Sequence, residues 1–146
     1  MTIKRYLLVA AFILLAYCNA LAGGVGTWKN YLAYSDVQWV EEGSNKLYVL
    51  ASNSLYTYNK NDQSIKTYDK VNGLSDTDIR FIAWNKTARR LVILYSNNNI
   101  DLLDDRGNVT NVPDYYLKTT MADKTVNGID MSGVYCYLST GFGLVK

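Results

Sequence analysis

The sequence predicts an all-β fold: a partial β-propeller of about two and a half four-stranded blades, truncated at its C-terminus. Three observations predict it. A pattern of short strand-like runs and turns returns at a spacing of roughly 40 residues, so that Asp36–Tyr58, Asp78–Leu103 and Thr125–Val145 can be laid over one another. Equivalent apolar residues keep register, with offsets of 42 from Val37 to Ile79, 44 from Leu47 to Leu91 and 43 from Leu91 to Val134. In the second strand of each unit both alternating sets of side chains are large and carbon-rich. Leu91 to Tyr95 is apolar throughout, and Val134 to Leu138 interposes Tyr135 and Tyr137. Such strands are expected to be covered on both faces, as in a sheet stacked between two others. Evenly spaced short strands also mark β-sandwiches, which stand as the alternative architecture.

The first element is read as an export signal over residues 1–22. Lys4 and Arg5 form a basic start, Tyr6 to Tyr17 is an unbroken apolar run, and Ala20-Leu21-Ala22 supplies the small-x-small cleavage signature. Cleavage involving Ala20 and Ala22 would start the mature chain near Gly23. A competing lipoprotein signal would end at Cys18, but Tyr17 is bulky for the position before a lipidated cysteine. The apolar run is short for a membrane span of about 20 residues, and no later segment approaches that length, so no transmembrane span is expected in the mature chain.

Residues 23–146 are assigned to the N-terminal part of a propeller domain. In the first unit the strands are expected at Val37–Glu42, Lys46–Ala51, Leu55–Tyr58 and Ser64–Tyr68, with Asn59 to Asp62 as the last hairpin turn. In the second they fall at Ile79–Trp84, Leu91–Tyr95, Ile100–Leu103 and Val109–Val112, with Asp104 to Asn108 as the turn. The third unit reaches Lys146 partway through its third strand. Between second and third strands the backbone needs residues that tolerate positive φ. Asn53-Ser54, Asn97-Asn98-Asn99 and Gly141-Phe142-Gly143 stand there. The last is a turn and not a phosphate loop, since the further glycine, the lysine and the helix of a nucleotide motif are missing.

Charge and residue usage exclude several chemistries. The 15 basic residues exceed the 13 acidic ones by two, and Lys4 and Arg5 of the leader account for that excess. A neutral mature surface argues against nucleic acid as a partner, because that affinity rests on several phosphate-neutralising side chains. Arg89-Arg90 is read as the polar start of a strand. Without Cys18, Cys136 is the remaining cysteine and has no internal disulfide partner; it is read as a buried, inert thiol on a strand face with Val134 and Leu138. With no histidine in the sequence, Ser-His-Asp and Cys-His catalysis and histidine metal sites are excluded within this segment. Neither a cofactor nor a metal is expected, and no catalytic residue is assigned.

Asn72-Gly73-Leu74-Ser75-Asp76 before the Asp78–Ala83 strand resembles the blade junction of two-component-regulator propellers, and Leu138 to Leu144 resembles their Gly-Thr-x-x-Gly-Leu turn. More closely, four segments in order resemble the start of the PorZ-like proteins of the type IX secretion system of Bacteroidota. These are Gly26 to Leu32, Val71 to Asp76, Asn99 to Leu103 and Tyr137 to Gly143. The likeness covers essentially the whole mature segment. It departs from the repeat family in the Asn-rich turns of the first two units and in the long connection Tyr115–Asp123. PorZ-like proteins are much longer, with two propellers and a C-terminal sorting domain.

The resemblance implies a non-enzymatic binding and scaffold component of the sortase (attachment) complex, at the cell surface and associated with the outer membrane. Its implied partners are the sortase-complex proteins and anionic lipopolysaccharide or another glycan, which it would help deliver to exported proteins. A periplasmic glycan-sensing propeller of a hybrid two-component regulator is the alternative, and it requires a membrane span and a kinase after the propeller. A propeller-borne glycosidase or lyase is a third possibility. Asp101, Asp104 and Asp130 would permit it, but no defined spacing pairs them, and they are read as turn and surface residues. Trp28, Tyr31, Tyr115 and Tyr116 lie outside the strands as glycan-contact candidates, although packing at blade edges explains them more simply. The ligand-binding residues stay unassigned. Closed propellers have about four to eight blades, so residues 23–146 expressed alone are expected to present unpaired edges and fold poorly.

Overall fold

The computed structural model describes residues 34–146. The expected leader over residues 1–22, its cleavage residues Ala20 and Ala22, and the aromatic candidates Trp28 and Tyr31 lie outside the described residues.

Eleven strands form three antiparallel meanders. The first sheet holds β1 (Val37–Glu42), β2 (Lys46–Ala51), β3 (Ser54–Asn59) and β4 (Ile65–Tyr68), in that order. The second holds β5 (Ile79–Asn85), β6 (Arg90–Tyr95), β7 (Ile100–Asp104) and β8 (Val109–Asn111). The third holds β9 (Val126–Ser132), β10 (Tyr135–Thr140) and β11 (Gly143–Val145). The first strands of the sheets, β1, β5 and β9, neighbour one another across the stack. This is the arrangement of propeller blades about an axis, and it sets the sandwich alternative aside.

Turn chemistry follows local sterics. Ser52 (φ 48°) and Asn53 (φ 57°) both sit at positive φ and close a two-residue hairpin. The expected Asn53-Ser54 turn is therefore displaced by one residue, because Ser54 already pairs with Ala51. In the third unit Gly143 takes φ 139°. Gly141 answers a different demand: a Cβ there would come within 2.8 Å of the Asp123 carboxylate and 3.0 Å of its backbone oxygen. The β7–β8 turn is held by Asp104, whose carboxylate accepts the backbone N–H of Arg106 (2.9 Å) and of Asn108 (2.8 Å). That bonding holds the Asp104 carboxyl below its usual range, the Asn108 contacts first among the causes.

Two apolar layers hold the sheets together. Tyr48, Leu50, Leu55 and Tyr68 of the first sheet meet Ile79, Trp84, Leu91, Ile93, Tyr95 and Leu103 of the second. Tyr48 and Trp84 stack across this layer, with ring centroids 5.2 Å apart at 22°. Leu94, on the opposite face of β6, packs with Val126 and Leu138 of the third sheet. Leu91 to Tyr95 is thus buried throughout, as its two apolar sets require.

The third sheet departs from that expectation. Tyr135 is 49% exposed and Tyr137 half-buried, because they face away from the layer that holds Cys136 and Leu138. Val134 lies in the β9–β10 turn and is exposed, so it shares no strand face with Cys136. The long connection contains one helical turn, α1 (Asp114–Leu117). Its Tyr115 is buried in the second layer and not exposed, with its hydroxyl donating to the Lys124 carbonyl at 2.8 Å; Tyr116 remains exposed.

Candidate functional site

Each inner strand opens with the same irregularity. Val37 pairs with Ala51 and Trp39 with Leu50, so Gln38 is an extra residue in the ladder. Ile79 pairs with Tyr95 and Phe81 with Leu94, which makes Arg80 the extra residue of the second blade. Val126 pairs with Thr140 and Gly128 with Ser139, leaving Asn127 in the third. A bulge removes its residue from the ladder and redirects the side chain. All three redirected residues are polar and exposed. The bulge also resets the alternation of the strand: Ile79 and Ile82, three apart, both reach the first apolar layer.

The chain beside each bulge is closed in the same way. Ser52 N–H donates to Asp36 O (2.8 Å), Ser96 N–H to Asp78 O (2.9 Å) and Gly141 N–H to Thr125 O (3.0 Å). Ile79 N–H donates to Asn53 O at 3.0 Å and ties the second inner strand to the first blade's turn. Antiparallel meanders therefore gather the bulges, these turns and the two long connections at one end of the stack.

Between the first two inner strands this end carries a cleft of about 410 Å³, lined by Gln38, Trp39, Leu50, Asn53, Arg80, Phe81 and Ser96. Trp39 is 56% exposed, yet its indole is anchored. Its Nε1–H donates to Glu41 Oε1 at 2.7 Å, and Glu41 Oε2 accepts the Trp84 N–H at 3.1 Å. Gln38 and Asn53 brace each other: Gln38 Nε2–H donates to Asn53 Oδ1 (2.8 Å), and Asn53 N–H donates to Gln38 Oε1 (3.0 Å). Asn53 Nδ2–H donates to Asp78 Oδ1 at 2.6 Å. The Arg80 guanidinium lies 5.5 Å from the Phe81 ring centroid. Among the described residues the ion pairs are Lys60–Glu42, Lys70–Asp76 and Arg89–Asp105, and Arg80 belongs to none.

A second cleft, of about 330 Å³, runs between the second and third sheets among Val92, Ile100, Leu102, Cys136, Leu138 and Val145. Its walls are apolar side chains of the packing layer, so it offers volume without fixed polar groups. Burial, followed by the charge of Asp130, raises the Cys136 thiol to about 11, which fits an inert thiol.

The carboxylates read as turn and surface residues separate. Asp104 is the turn residue described above, and Asp130 is exposed on β9. Asp101 is instead fully buried and accepts bonds from Tyr95, Ser75 and Asn111, so it is a structural group. The reason is its register: it sits in mid-strand on β7, opposite Ile93 and Asn111. Arg90 does begin β6, while Arg89 lies in the preceding turn and pairs with Asp105. No group of three or more metal-ligating side chains occurs among the described residues. No helix among them is long and apolar enough to cross a membrane.

Trp39 and Arg80 were not singled out from the sequence. A signal was nevertheless present, since a β-branched residue followed by a polar one opens each inner strand in Val37-Gln38, Ile79-Arg80 and Val126-Asn127.

Comparison with known proteins places this geometry in context. Residues 47–146 match the family model described as the type IX secretion PorZ N-terminal β-propeller domain. The chain is 38% identical to PorZ of Porphyromonas gingivalis, with a TM-score of 0.75. That alignment covers 82% of this chain and 16% of PorZ, which is described as an essential bacterial surface component of the type IX secretion system. The extracellular domain of BT4673 from B. thetaiotaomicron, described as a one-component system, shares the fold. It has a TM-score of 0.56 at 16% identity and aligns over 80% of this chain and 16% of that one. No curated protein matches the chain significantly.

Proposed function

From a chain that belongs to the PorZ N-terminal β-propeller family, we propose a non-enzymatic binding and scaffold component of the type IX attachment machinery. In this role it joins the sortase-complex proteins at the cell surface and helps deliver anionic lipopolysaccharide to exported proteins. The observation that carries the reading is the family match over residues 47–146, at 38% identity to a surface component of that system. The chain spans 16% of the length of that relative, so the role belongs to the protein of which these blades are part. Export would use the leader over residues 1–22, cleaved after Ala22.

The physics of the stack suits such a role. Two apolar layers lock the blades into a rigid platform, so clefts at the ends of the strands are preformed. A preformed cleft binds without the cost of ordering its walls. The anchored Trp39 and the braced Gln38–Asn53 pair are of this kind.

Fractionation of cells that produce the tagged full-length protein tests the reading. Recovery in the outer membrane together with the sortase complex is expected. A cytoplasmic protein that never associates with that complex would overturn it.

A further inference from the structure

We propose that the cleft between the first two inner strands binds an anionic saccharide, with Trp39 stacking on a sugar ring and Arg80 meeting its carboxylate or phosphate.

Four observations converge on that ligand class. The indole of Trp39 is exposed, but its edge is held by Glu41, which leaves a flat, immobilised apolar face at the cleft. Sugar rings present C–H faces that cover such a surface. The bulge at position 80 turns a guanidinium out of the ladder on the neighbouring strand. That guanidinium has neither an ion-pair partner nor a side-chain hydrogen bond among the described residues, so its donors are available for a bidentate contact with an anion. Gln38 and Asn53 satisfy each other's oxygens and each keep one amide N–H, which supplies donors for hydroxyls. Finally, the volume of about 410 Å³ lies in the range of small-ligand sites.

The neighbouring carboxylates leave Arg80 as the charge an incoming anion meets. Asp78 is engaged by Asn53, and both oxygens of Glu41 accept hydrogen bonds. An uncharged sugar would use the stacking face and the amides but gain nothing from the guanidinium. The biological source of the saccharide rests on the binding role proposed above; the chemistry of the cleft does not.

Calorimetric titration of the full-length protein with galacturonate tetrasaccharide, galactose 6-phosphate and uncharged galactose tetrasaccharide tests the site. At least one anionic sugar is expected to bind, and more tightly than the uncharged one. Which anion binds assigns carboxylate or phosphate. Arg80→Gln is expected to weaken anionic binding by about tenfold or more, the scale of one charge-assisted bond, and to leave uncharged binding unchanged. Trp39→Ala is expected to weaken all of them. Circular dichroism confirms the fold of each variant, and Arg80, being exposed, provides the test should Trp39→Ala misfold. Failure of both anionic sugars to bind, or binding that Arg80→Gln leaves unchanged, would overturn the proposal. Arg80→Gln protein that still assembles at the outer membrane but no longer binds sugar supports the site independently. Wild-type protein that binds sugar without reaching the sortase complex would sink the secretion role and leave the site standing.

Discussion

The Tyr95 hydroxyl donates a 2.6 Å hydrogen bond to the Asp101 carboxylate, and both side chains are fully buried. The same oxygen accepts the Ser75 N–H at 2.8 Å, and the other accepts Asn111 Nδ2–H at 2.8 Å. One carboxylate thus joins β6, β7 and β8 to the Asn72–Asp76 connection between blades. The Gly-Leu-Ser sequence of that connection turns into the second blade against this buried anchor, with Leu74 in the first apolar layer.

Removal of this anchor is expected to destabilise the blade. Asp101→Ala strands the Tyr95 hydroxyl and the Ser75 N–H without an acceptor, and should cost about 3 kcal/mol or more. Tyr95→Phe leaves the carboxylate its other partners and should cost about 1–2 kcal/mol. Denaturant unfolding of the full-length protein measures both. Burial first, then the Asp101 bond, raises the Tyr95 pKa, so its contribution is complete below the usual tyrosine range and falls as pH rises above it.

Tyr48→Phe should behave in the opposite way. The Tyr48 hydroxyl is buried without a hydrogen-bond partner, so its removal is expected to be neutral or slightly stabilising. Trp84→Ala, across the same stacked pair, should cost about 3–5 kcal/mol through loss of packing between the first two blades. The contrast is read from unfolding midpoints.

Cys136 should alkylate slowly in the native protein. With its pKa raised to about 11 from 9.0, its thiolate fraction near neutral pH is about 100-fold below that of a free thiol, and the rate should follow. Peptide-resolved mass spectrometry of iodoacetamide labelling against pH measures this. Burial of the neutral thiol favours folding fully below pH 9.0, and that contribution is lost as pH rises toward about 11.

Gly141→Ala should destabilise the third blade although Gly141 is not among the positive-φ glycines. Its Cβ would meet the backbone oxygen of Asp123 at 3.0 Å, contact that a side-chain rotation cannot relieve. A cost of about 1–3 kcal/mol is expected from thermal unfolding.

N-terminal sequencing of the exported protein should begin at Gly23. A start at a lipidated Cys18 would instead identify the lipoprotein route and change how the protein is anchored.

Strand identity was legible because it is a local property. Alternation and β-branched or aromatic content mark Lys46–Ala51 and Leu91–Tyr95 without knowledge of what lies beside them, and the returning pattern marks the blades. The candidate site was not legible in the same way. Gln38, Arg80 and Asn127 leave their ladders because each inner strand holds one residue more than its partner accommodates, and that surplus exists only between paired strands. Trp39 and Arg80 line one cleft because the first two sheets stack, and Asp101 is buried because β7 lies between β6 and β8 under the blade connection. Local residue pattern settles what forms a strand, whereas long-range packing settles which side chains it covers and which it turns toward a ligand.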